Sequence, residues 1–294
     1  MVILLVGASG LLGGALQDAL SHHPVRQLVR RPPRPDDAVE TVQWAPPAPP
    51  PLTVFDGVSA VVNLGGAGVG DNRWTRRRLQ VIRSSRTGPT HALAHALAQI
   101  PRPIRYLQAS AVGYYGDTGD ALTDEHAPSG TTVLASICRD WESAATPARG
   151  AGHPTAFLRT GIVLTPAGGA LTPLLRLIKL GLGGPLGNGR QWWPWIHLED
   201  WVRAALFLLE GELEGPVNLT APHPATNREI TTQIARAHRR RAVLPAPAPA
   251  LRLALGGFST EILRSQRVVP QALLDSGFTF TYPEISSAAH ALTS

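Results

Sequence analysis

The sequence predicts an α/β protein whose core is a doubly wound parallel sheet, followed by a smaller C-terminal lobe. Three observations predict this fold. Short apolar runs alternate with segments of helical periodicity over the first 160 residues, which is typical of parallel strands joined by helices. A Gly-x-x-Gly-x-x-Gly turn separates the first apolar run from the first helical segment. After Gly161 the pattern becomes irregular, which indicates a second lobe.

The predicted elements follow one another in the order that such a sheet requires. Strands are predicted over residues 2–6, 25–29, 59–64, 104–109 and 153–158, and the first and third of these are apolar runs that end at a glycine. Helices are predicted over residues 12–20, 79–100 with a break at Gly88-Pro89, 133–146 and 171–181. Residues 32–51 contain eight prolines and are predicted to form a long surface loop, with one short strand near residues 42–44.

The domain boundary is predicted near residue 160, which gives a first domain over residues 1–160 and a substrate-side lobe over residues 161–294. Residues 199–210 are predicted to be helical and residues 216–219 extended, so parts of the second lobe are expected to return to the core. Prolines 245, 247 and 249 punctuate a helical C-terminal segment.

Composition excludes several other classes of protein. The chain has 294 residues, of which 44% are hydrophobic and 16% charged, with a mean hydropathy of +0.00, so it is not disordered, collagen-like or coiled-coil. A single cysteine forms neither an internal disulfide nor a cysteine-based zinc site, and it favours a cytoplasmic location. No apolar run reaches the roughly 18 residues of a membrane span. The apolar segment at the start of the sequence lacks the basic residues that begin a signal peptide, and it is interpreted as part of the mature protein.

The glycine turn predicts a dinucleotide site. Gly7 allows the tight turn, Gly10 lets backbone N–H groups approach a pyrophosphate, and Gly13 allows close packing of the helix on the strand. The start of the helix adds a partial positive charge. Placed between a strand and a helix, the turn is a much stronger signal than three glycines alone.

The residues after the second strand predict which nucleotide binds. A site for NAD usually has an acidic residue there, whereas an arginine accommodates a 2′-phosphate. The sequence has Arg30 and Arg31 at this point and no acid before Asp36, which predicts NADP(H). The alternative is that both arginines simply face solvent.

The net charge of +6 does not indicate a nucleic-acid-binding protein. The basic residues comprise 26 arginines and one lysine, Lys179, and their densest run at residues 76–78 has only Trp74 beside it. No metal site is predicted either, because His91 and His95 lack the glutamate of a zinc-protease helix between them.

Several motifs together resemble one known family. They are Gly7 to Gly13, residues 63–67 (Asn-Leu-Gly-Gly-Ala), 110–116 (Ser-Ala-Val-Gly-Tyr-Tyr-Gly), 158–161 (Leu-Arg-Thr-Gly), 195–200 (Trp-Ile-His-Leu-Glu-Asp), 216–219 (Pro-Val-Asn-Leu) and 265–270 (Ser-Gln-Arg-Val-Val-Pro). Over nearly the whole chain they resemble the extended short-chain dehydrogenases/reductases, and more narrowly an atypical NAD(P)-dependent epimerase-like family that ends in a small domain of unknown function. The resemblance implies a Rossmann-like NADP-binding core. It also implies nucleotide contacts at Gly7, Ser9, Gly10, Leu11, Leu12, Arg30, Arg31, Leu64, Gly65 and Arg86.

The catalytic pattern of that wider superfamily is missing. Its members use Tyr-x-x-x-Lys with a nearby hydroxyl, in which the tyrosine transfers a proton and the lysine lowers its pKa and holds the nicotinamide ribose. No tyrosine here has a lysine four residues later. By resemblance, Leu134 and Cys138 occupy the two positions, and Ala111 replaces the usual hydroxyl, with Ser110 one residue early.

Three other residues are candidates for catalysis. Ser110 and Tyr114 follow the carboxyl end of a strand, where ligands bind in open α/β sheets, although Tyr114 also suits a packed wall. His197 has the chemistry of an acid or base, but a buried, hydrogen-bonded histidine at the start of the next helix is the stronger interpretation.

The tryptophans at positions 192, 193 and 195 suit a planar ligand and a hydrophobic core equally.

Two functions follow from these patterns. The first is an NADP(H)-dependent oxidoreductase, or an epimerase using transient hydride transfer, that acts on a small polar substrate between the lobes. The second is a non-catalytic NADP(H)-binding sensor in which the nucleotide stabilises a conformation that a protein partner recognises.

Overall fold

A seven-stranded parallel sheet forms the centre of the computed structural model, which describes residues 2–169, 171–242 and 244–293. Its strands, in chain order, are β1 (Val2–Val6), β2 (Val25–Val29), β3 (Glu40–Gln43), β4 (Val58–Asn63), β5 (Arg105–Ala111), β7 (Thr155–Thr160) and β11 (Gly215–Leu219). Their order across the sheet is β11-β7-β5-β4-β1-β2-β3. This is the doubly wound topology that the sequence predicts.

In the part of the chain that the structure describes, three short strand pairs lie outside the main sheet. They are β6 (Leu122–Thr123) with β13 (Arg267–Val268), β8 (Ile162–Leu164) with β10 (Trp195–His197), and β9 (Trp192–Trp193) with β12 (Ala225–Thr226). Each pair joins segments that are far apart in the chain. They therefore connect the C-terminal lobe to the loops that follow the main strands.

Helices cover both faces of the sheet and build most of the lobe. They are α1 (Leu11–Ala19), α2 (Arg76–Leu97), α3 (Val133–Ser143), α4 (Thr146–Gly150), α5 (Thr172–Lys179), α6 (Leu198–Glu210), α7 (Asn227–Ala237), α8 (Ala248–Leu255), α9 (Phe258–Ile262), α10 (Gln271–Asp275) and α11 (Ile285–Ala291). Among the described residues, no helix is both long and apolar enough to cross a membrane.

Alternating side chains of the strands feed two hydrophobic cores. In β1, Ile3 and Leu5 pack with α1 and α6 on one face, while Leu4 and Val6 pack with α2 on the other. In a strand that is buried on both faces, nearly every residue is apolar. The continuous apolar run of β1 could therefore be recognised in the sequence. A third core, in the C-terminal lobe, contains Trp195 together with residues of α5, α7 and α11.

The expected break at Gly88-Pro89 is wrong, because α2 continues through Pro89. A proline inside a helix removes one backbone hydrogen bond and usually kinks or ends it. Here, however, Ile82 and Arg86 before the proline and Thr90 and Leu93 after it are all buried. Packing of both halves along one stripe stabilises the helix more than the proline destabilises it.

The other expected elements lie close to their predicted bounds. The short strand in the proline-rich loop is β3, which begins two residues earlier than expected and pairs with β2. The extended segment near residue 216 is β11, and it forms the edge of the main sheet beside β7. The chain beyond residue 160 therefore completes the sheet of the first domain.

Replacing Gly13 with alanine tests the close packing of α1 on the glycine turn. A Cβ on Gly13 would lie 2.2 Å from the carbonyl oxygen of Gly7, whereas the nearest such atom to a Cβ on Gly14 is 3.6 Å away. We expect Gly13→Ala to lower the free energy of unfolding by about 1–3 kcal/mol. Its neighbour control, Gly14→Ala, should raise it by up to about 1 kcal/mol because alanine favours the helix. Urea unfolding measures both, and equal effects would contradict the packing account.

Candidate functional site

The glycine turn leaves the start of α1 open to a ligand. Gly7 has a φ of +88°, a conformation that residues with a side chain rarely adopt. Gly10 is exposed, and only the Gly7 carbonyl lies within 4 Å of where its Cβ would be. Among the described residues, no side chain caps α1, and its first turn contains no acidic residue. Its first backbone N–H groups are thus directed at a site that suits a phosphate.

The loop after β4 lies directly against this turn. A Cβ on Gly7 would be 2.9 Å from the backbone nitrogen of Gly65, and the Leu64 N–H donates to the Val6 carbonyl oxygen at 2.9 Å. In a doubly wound sheet, the strand order reverses between β1 and β4, and ligands bind in the crevice at that point. The structure therefore brings the predicted contacts in the turn and in this loop to one edge of the sheet.

The two arginines after β2 have different surroundings. Arg31 forms an ion pair with Asp37, and Arg31 Nη1 donates to the Asp37 carboxylate at 2.9 Å. The Arg31 guanidinium, together with hydrogen bonds from the Arg34 N–H and the Thr41 hydroxyl, holds the pKa of that carboxyl well below its usual range. Arg30 is exposed, and its side chain makes no hydrogen bond within the described residues. Arg31 is thus engaged by an acid six positions on, and Arg30 is the free guanidinium.

Ser110 belongs to a buried network of charged side chains. It is 4% exposed, and its hydroxyl donates to Glu142 Oε1 at 2.6 Å. Glu142 in turn accepts two hydrogen bonds from Arg159, from Nε at 2.9 Å and from Nη2 at 3.0 Å. Although burial by itself lowers the pKa of Arg159, the paired carboxylate raises it above its usual value. This bidentate pair keeps both charges in place inside the protein.

Tyr114 and Tyr115 both contact Arg159, but their hydroxyl groups differ in hydrogen bonding. The Arg159 guanidinium lies 3.5 Å from the centre of the Tyr114 ring. Tyr115 is buried, donates to Asn218 Oδ1 at 2.7 Å and accepts from Arg159 at 2.9 Å, and burial raises its pKa to about 12. Tyr114 is half-buried, and its hydroxyl makes no hydrogen bond within the described chain. Of the two phenols, Tyr114 has the one free to meet a ligand.

The C-terminal segment holds the loop that carries these tyrosines. The Gln266 amide donates to the carbonyl oxygens of Val112 and Gly116, at 3.0 and 2.6 Å. The Glu125 carboxylate accepts backbone N–H groups from Asn218 and Ala272, and burial raises its pKa. Nothing in the sequence pattern selected Glu125, Glu142 or Arg159 as candidate catalytic or nucleotide-binding residues. The one sequence feature that could have pointed to this group is Arg159, an arginine near the end of an apolar strand.

His197 caps the start of α6. This agrees with its interpretation as a buried, hydrogen-bonded histidine at the start of a helix. It is 9% exposed, its Nδ1 accepts the Glu199 N–H at 3.3 Å, and burial lowers its pKa. Its ring lies 4.1 Å from that of Tyr282, and Asp200 accepts the N–H groups of Thr281 and Tyr282. These contacts face the C-terminal lobe and include neither Ser110 nor Tyr114.

The tryptophan cluster divides between core and surface. Trp193 and Trp195 belong to the hydrophobic core of the lobe. Trp192 is half-buried, donates to Asp120 at 2.8 Å and lies 4.6 Å from the Arg267 guanidinium. Two of the three rings are therefore packed against other side chains of the lobe.

Comparison with known proteins agrees with this geometry. The model of the NAD-dependent epimerase/dehydratase family matches residues 3–221, which include all of the main sheet except Val2. The chain belongs to this family. A second model, a domain of unknown function (DUF1731), matches residues 246–292 of this epimerase-family chain.

Relatives of this epimerase-family protein match it over almost their whole length. Epimerase family protein Mb2239 of Mycobacterium bovis is 43% identical, with 98% of this chain and 96% of the relative covered. Epimerase family protein YfhF of Bacillus subtilis is 33% identical, with 99% and 98% covered. The crystal structure of human epimerase family protein SDR39U1 (isoform 2) with NADPH is 28% identical, with 99% of both chains covered and a TM-score of 0.89.

The two residues that the resemblance puts in place of the tyrosine and lysine are apolar side chains. Leu134 and Cys138 lie on α3, and both would touch a Cβ on Gly113, at 3.5 and 3.8 Å. Cys138 is buried, and burial raises its pKa to about 12. The thiol is therefore neutral, and neither residue supplies a charge or a transferable proton near neutral pH.

The burial of His197 makes stability depend on pH, because it lowers the pKa of the imidazole. Because its pKa is lower in the folded chain than the value of about 6.5 in an unfolded one, it stabilises the fold above that pH and ceases to do so as the pH falls. We expect the free energy of unfolding to decrease less between pH 7.5 and 5 in His197→Asn, which keeps a capping side chain. Urea unfolding at several pH values measures this, and an unchanged slope would refute it.

Proposed function

We propose that this protein binds NADP(H) and uses it as an oxidoreductase, or as an epimerase with transient hydride transfer, on a small polar substrate between the lobes. The observation that carries the proposal is the contact of the glycine turn with the loop after β4, beside an uncapped helix. The relative SDR39U1, whose crystal structure is with NADPH, supports the choice of nucleotide.

The residues present fit a phosphorylated dinucleotide. The turn from Gly7 to Leu12, with Ser9 exposed, would hold the pyrophosphate, and Leu64 and Gly65 would lie beside it. Arg30 would bind the 2′-phosphate, since its guanidinium has no partner of its own within the described residues. When bound, the nucleotide supplies the hydride. Every other step falls to side chains of this chain.

Tyr114 is the side chain best placed to transfer the proton. Its hydroxyl is free within the described residues, and its ring is held against Arg159, which is itself fixed by Glu142. Ser110 already donates its proton to Glu142, so it serves as a positioning residue of the Glu142–Arg159 pair. General acid catalysis by one such group typically contributes about 10²–10⁴ in rate.

The non-catalytic sensor is the second candidate. It is favoured by the absence of any Tyr-x-x-x-Lys in the sequence, in whose place the resemblance puts Leu134 and the buried Cys138. A sensor predicts that nucleotide binding changes affinity for a protein partner while the nicotinamide stays in one redox state. We place the enzyme first because the chain retains a C-terminal lobe beside the cleft, where substrates bind in such folds.

We further propose that the protein acts in the cytoplasm on a small molecule. The single, buried cysteine suits a reducing compartment. Arginines distributed without interleaved aromatic residues give no reason to propose a nucleic acid as partner.

Removal of each arginine separately tests the choice of nucleotide. We expect Arg30→Ala to weaken NADPH binding at least about tenfold, because a charge-assisted bond to phosphate is lost, and to leave NADH binding within about twofold. Arg31→Ala is the matched control and should have a smaller effect, because its guanidinium is already paired with Asp37. Isothermal titration calorimetry measures all four affinities. Equal weakening of NADPH and NADH by Arg30→Ala would refute the assignment.

Substitution of Tyr114 tests the chemistry. On a substrate found by screening carbonyl compounds and nucleotide sugars for NADPH consumption or epimerisation, Tyr114→Phe should reduce kcat by about 10²–10⁴ and leave NADPH affinity unchanged. Phenylalanine keeps the ring on Arg159, so the fold should be preserved. If the wild type binds NADPH tightly but is inactive on the whole panel, the sensor replaces the enzyme as the proposed function.

A further inference from the structure

The loop after β4 touches the C-terminal lobe at the carboxyl edge of the main sheet. The centre of the Trp74 ring lies 5.5 Å from that of the Phe258 ring, and Trp74 forms an isolated parallel β-bridge with Gly256. A Cβ on Gly70 would lie 3.2 Å from Cε1 of Phe258. The loop that carries Gly65 at the candidate nucleotide site therefore also contacts the chain between α8 and α9.

The α8–α9 segment, residues 248–262, is fixed to the rest of the lobe at its two ends. Just before α8, Ala246 forms a β-bridge with Leu186. At the end of α9, the Ile262 carbonyl oxygen accepts the Trp193 indole N–H at 2.9 Å. Between these ends, every residue of α8 is exposed or half-buried. Little packing therefore opposes a movement of the middle of this segment.

The contact of the segment with the loop lies towards the nicotinamide end of the proposed dinucleotide site. The sheet contains the order β5-β4-β1-β2, and Arg30, the proposed partner of the 2′-phosphate on the adenosine half, follows β2. Because a dinucleotide lies across the carboxyl edge of such a sheet, its other half would be directed towards β4 and β5. Tyr114, the proposed proton donor, follows β5. Trp74 is therefore on the side of the cleft where the chemistry is proposed.

We propose that the α8–α9 segment is a gate over the nicotinamide end of the cleft, closed by the contact of Phe258 with Trp74 and opened when the two rings separate. The inference rests on the proposed function, because it requires NADP(H) in the cleft. Closure of such a segment keeps water from the reacting groups, and its opening sets the rate at which ligands enter and leave. Both rings are half-buried, so water already reaches the pair and can replace the contact when the gate opens. The gate is the first part of the region that matches the domain of unknown function.

A disulfide across the closed gate provides a way to lock it. A Cβ on Gly257 would lie 3.3 Å from the Cβ of Trp74, just under the roughly 3.5–4.5 Å between the Cβ atoms of a disulfide. Gly257 has a φ of −59° and a ψ of −26°, which cysteine also adopts. Trp74→Cys with Gly257→Cys should therefore form a disulfide on oxidation, and the native Cys138 is buried away from it. The reduced double variant lacks the Trp74 ring and has an open gate, whereas the oxidised form has a locked one.

Oxidation and reduction of this double variant compare the two states of the gate in one protein. We expect oxidation to slow both association and dissociation of NADPH at least about tenfold, because the nicotinamide half no longer passes the gate. The affinity for 2′,5′-ADP, which lacks that half, should change less than about twofold. Stopped-flow measurement of NADPH fluorescence gives the rates, and titration calorimetry gives the affinity for 2′,5′-ADP. Reduction with a phosphine should restore the fast rates in the same sample.

Shortening Phe258 tests the gate without a cross-link. Phe258→Ala should bind and release NADPH at least about threefold faster than the wild type, because the closed position loses its aromatic contact. Leu253→Ala is the matched control, since Leu253 lies on α8 and is 77% exposed. It should leave both rates within about 1.5-fold of the wild type. Phe258→Ala keeps the inference testable if the disulfide does not form.

The outcomes distinguish this inference from the proposed function. If the wild type binds neither NADPH nor 2′,5′-ADP, the proposed function fails, and the inference fails with it. If the wild type binds both, but oxidation of the double variant and Phe258→Ala each leave the NADPH rates unchanged, only the inference fails. The α8–α9 segment would then be a fixed wall of the lobe.

Discussion

The fold and its candidate site both depend on the direct contact between the loops that leave β1 and β4. Gly7 has no side chain at the point where any Cβ would meet the Leu64–Gly65 backbone, and Gly13 allows α1 to approach the Gly7 carbonyl. Larger residues would force the loops apart and turn the helix away from the cleft. The same absence of side chains that permits the packing also leaves backbone N–H groups accessible. Structural and binding requirements therefore coincide at this one contact.

A second organising feature is the pair of buried arginines on either side of α3. Arg159 is neutralised by Glu142 and keeps Ser110, Tyr114 and Tyr115 in a fixed arrangement. Arg86 has no such acid and is surrounded by carbonyl oxygens and an indole ring. One arginine is thus paired with a carboxylate, whereas the other is held by backbone carbonyl oxygens.

Strands and helices were predictable from the sequence where a continuous pattern decides them. Residues 2–6 and 25–29 were predicted with the bounds that the structure has, and the first of these runs is apolar throughout and ends at Gly7. The Gly88-Pro89 break was wrong, since local propensity carries no information about burial along both halves of α2. The family was also recognisable from short motifs, and the family models confirm it.

Side-chain partners were the part of the site that the sequence did not reveal. The pairing of Arg31 with Asp37 depends on how a proline-rich loop folds back, and the Ser110–Glu142–Arg159 network joins a strand, a helix and a second strand. Such contacts arise from tertiary structure and have no periodic signature. His197 differs, because its place immediately before a helical segment already favoured a cap over a catalyst.

The two hydrogen bonds from Gln266 to the tyrosine-bearing loop make the tail and that loop a single mechanical unit. Together with the pairing of β13 and β6, they join a segment near the C-terminus to the loop after β5, about 150 positions earlier in the chain. A chimaera that exchanged tails between two relatives would bring the wrong support to the loop unless residues 112–123 were exchanged with it. Diversification of the pocket therefore requires coordinated change at two distant places in the gene.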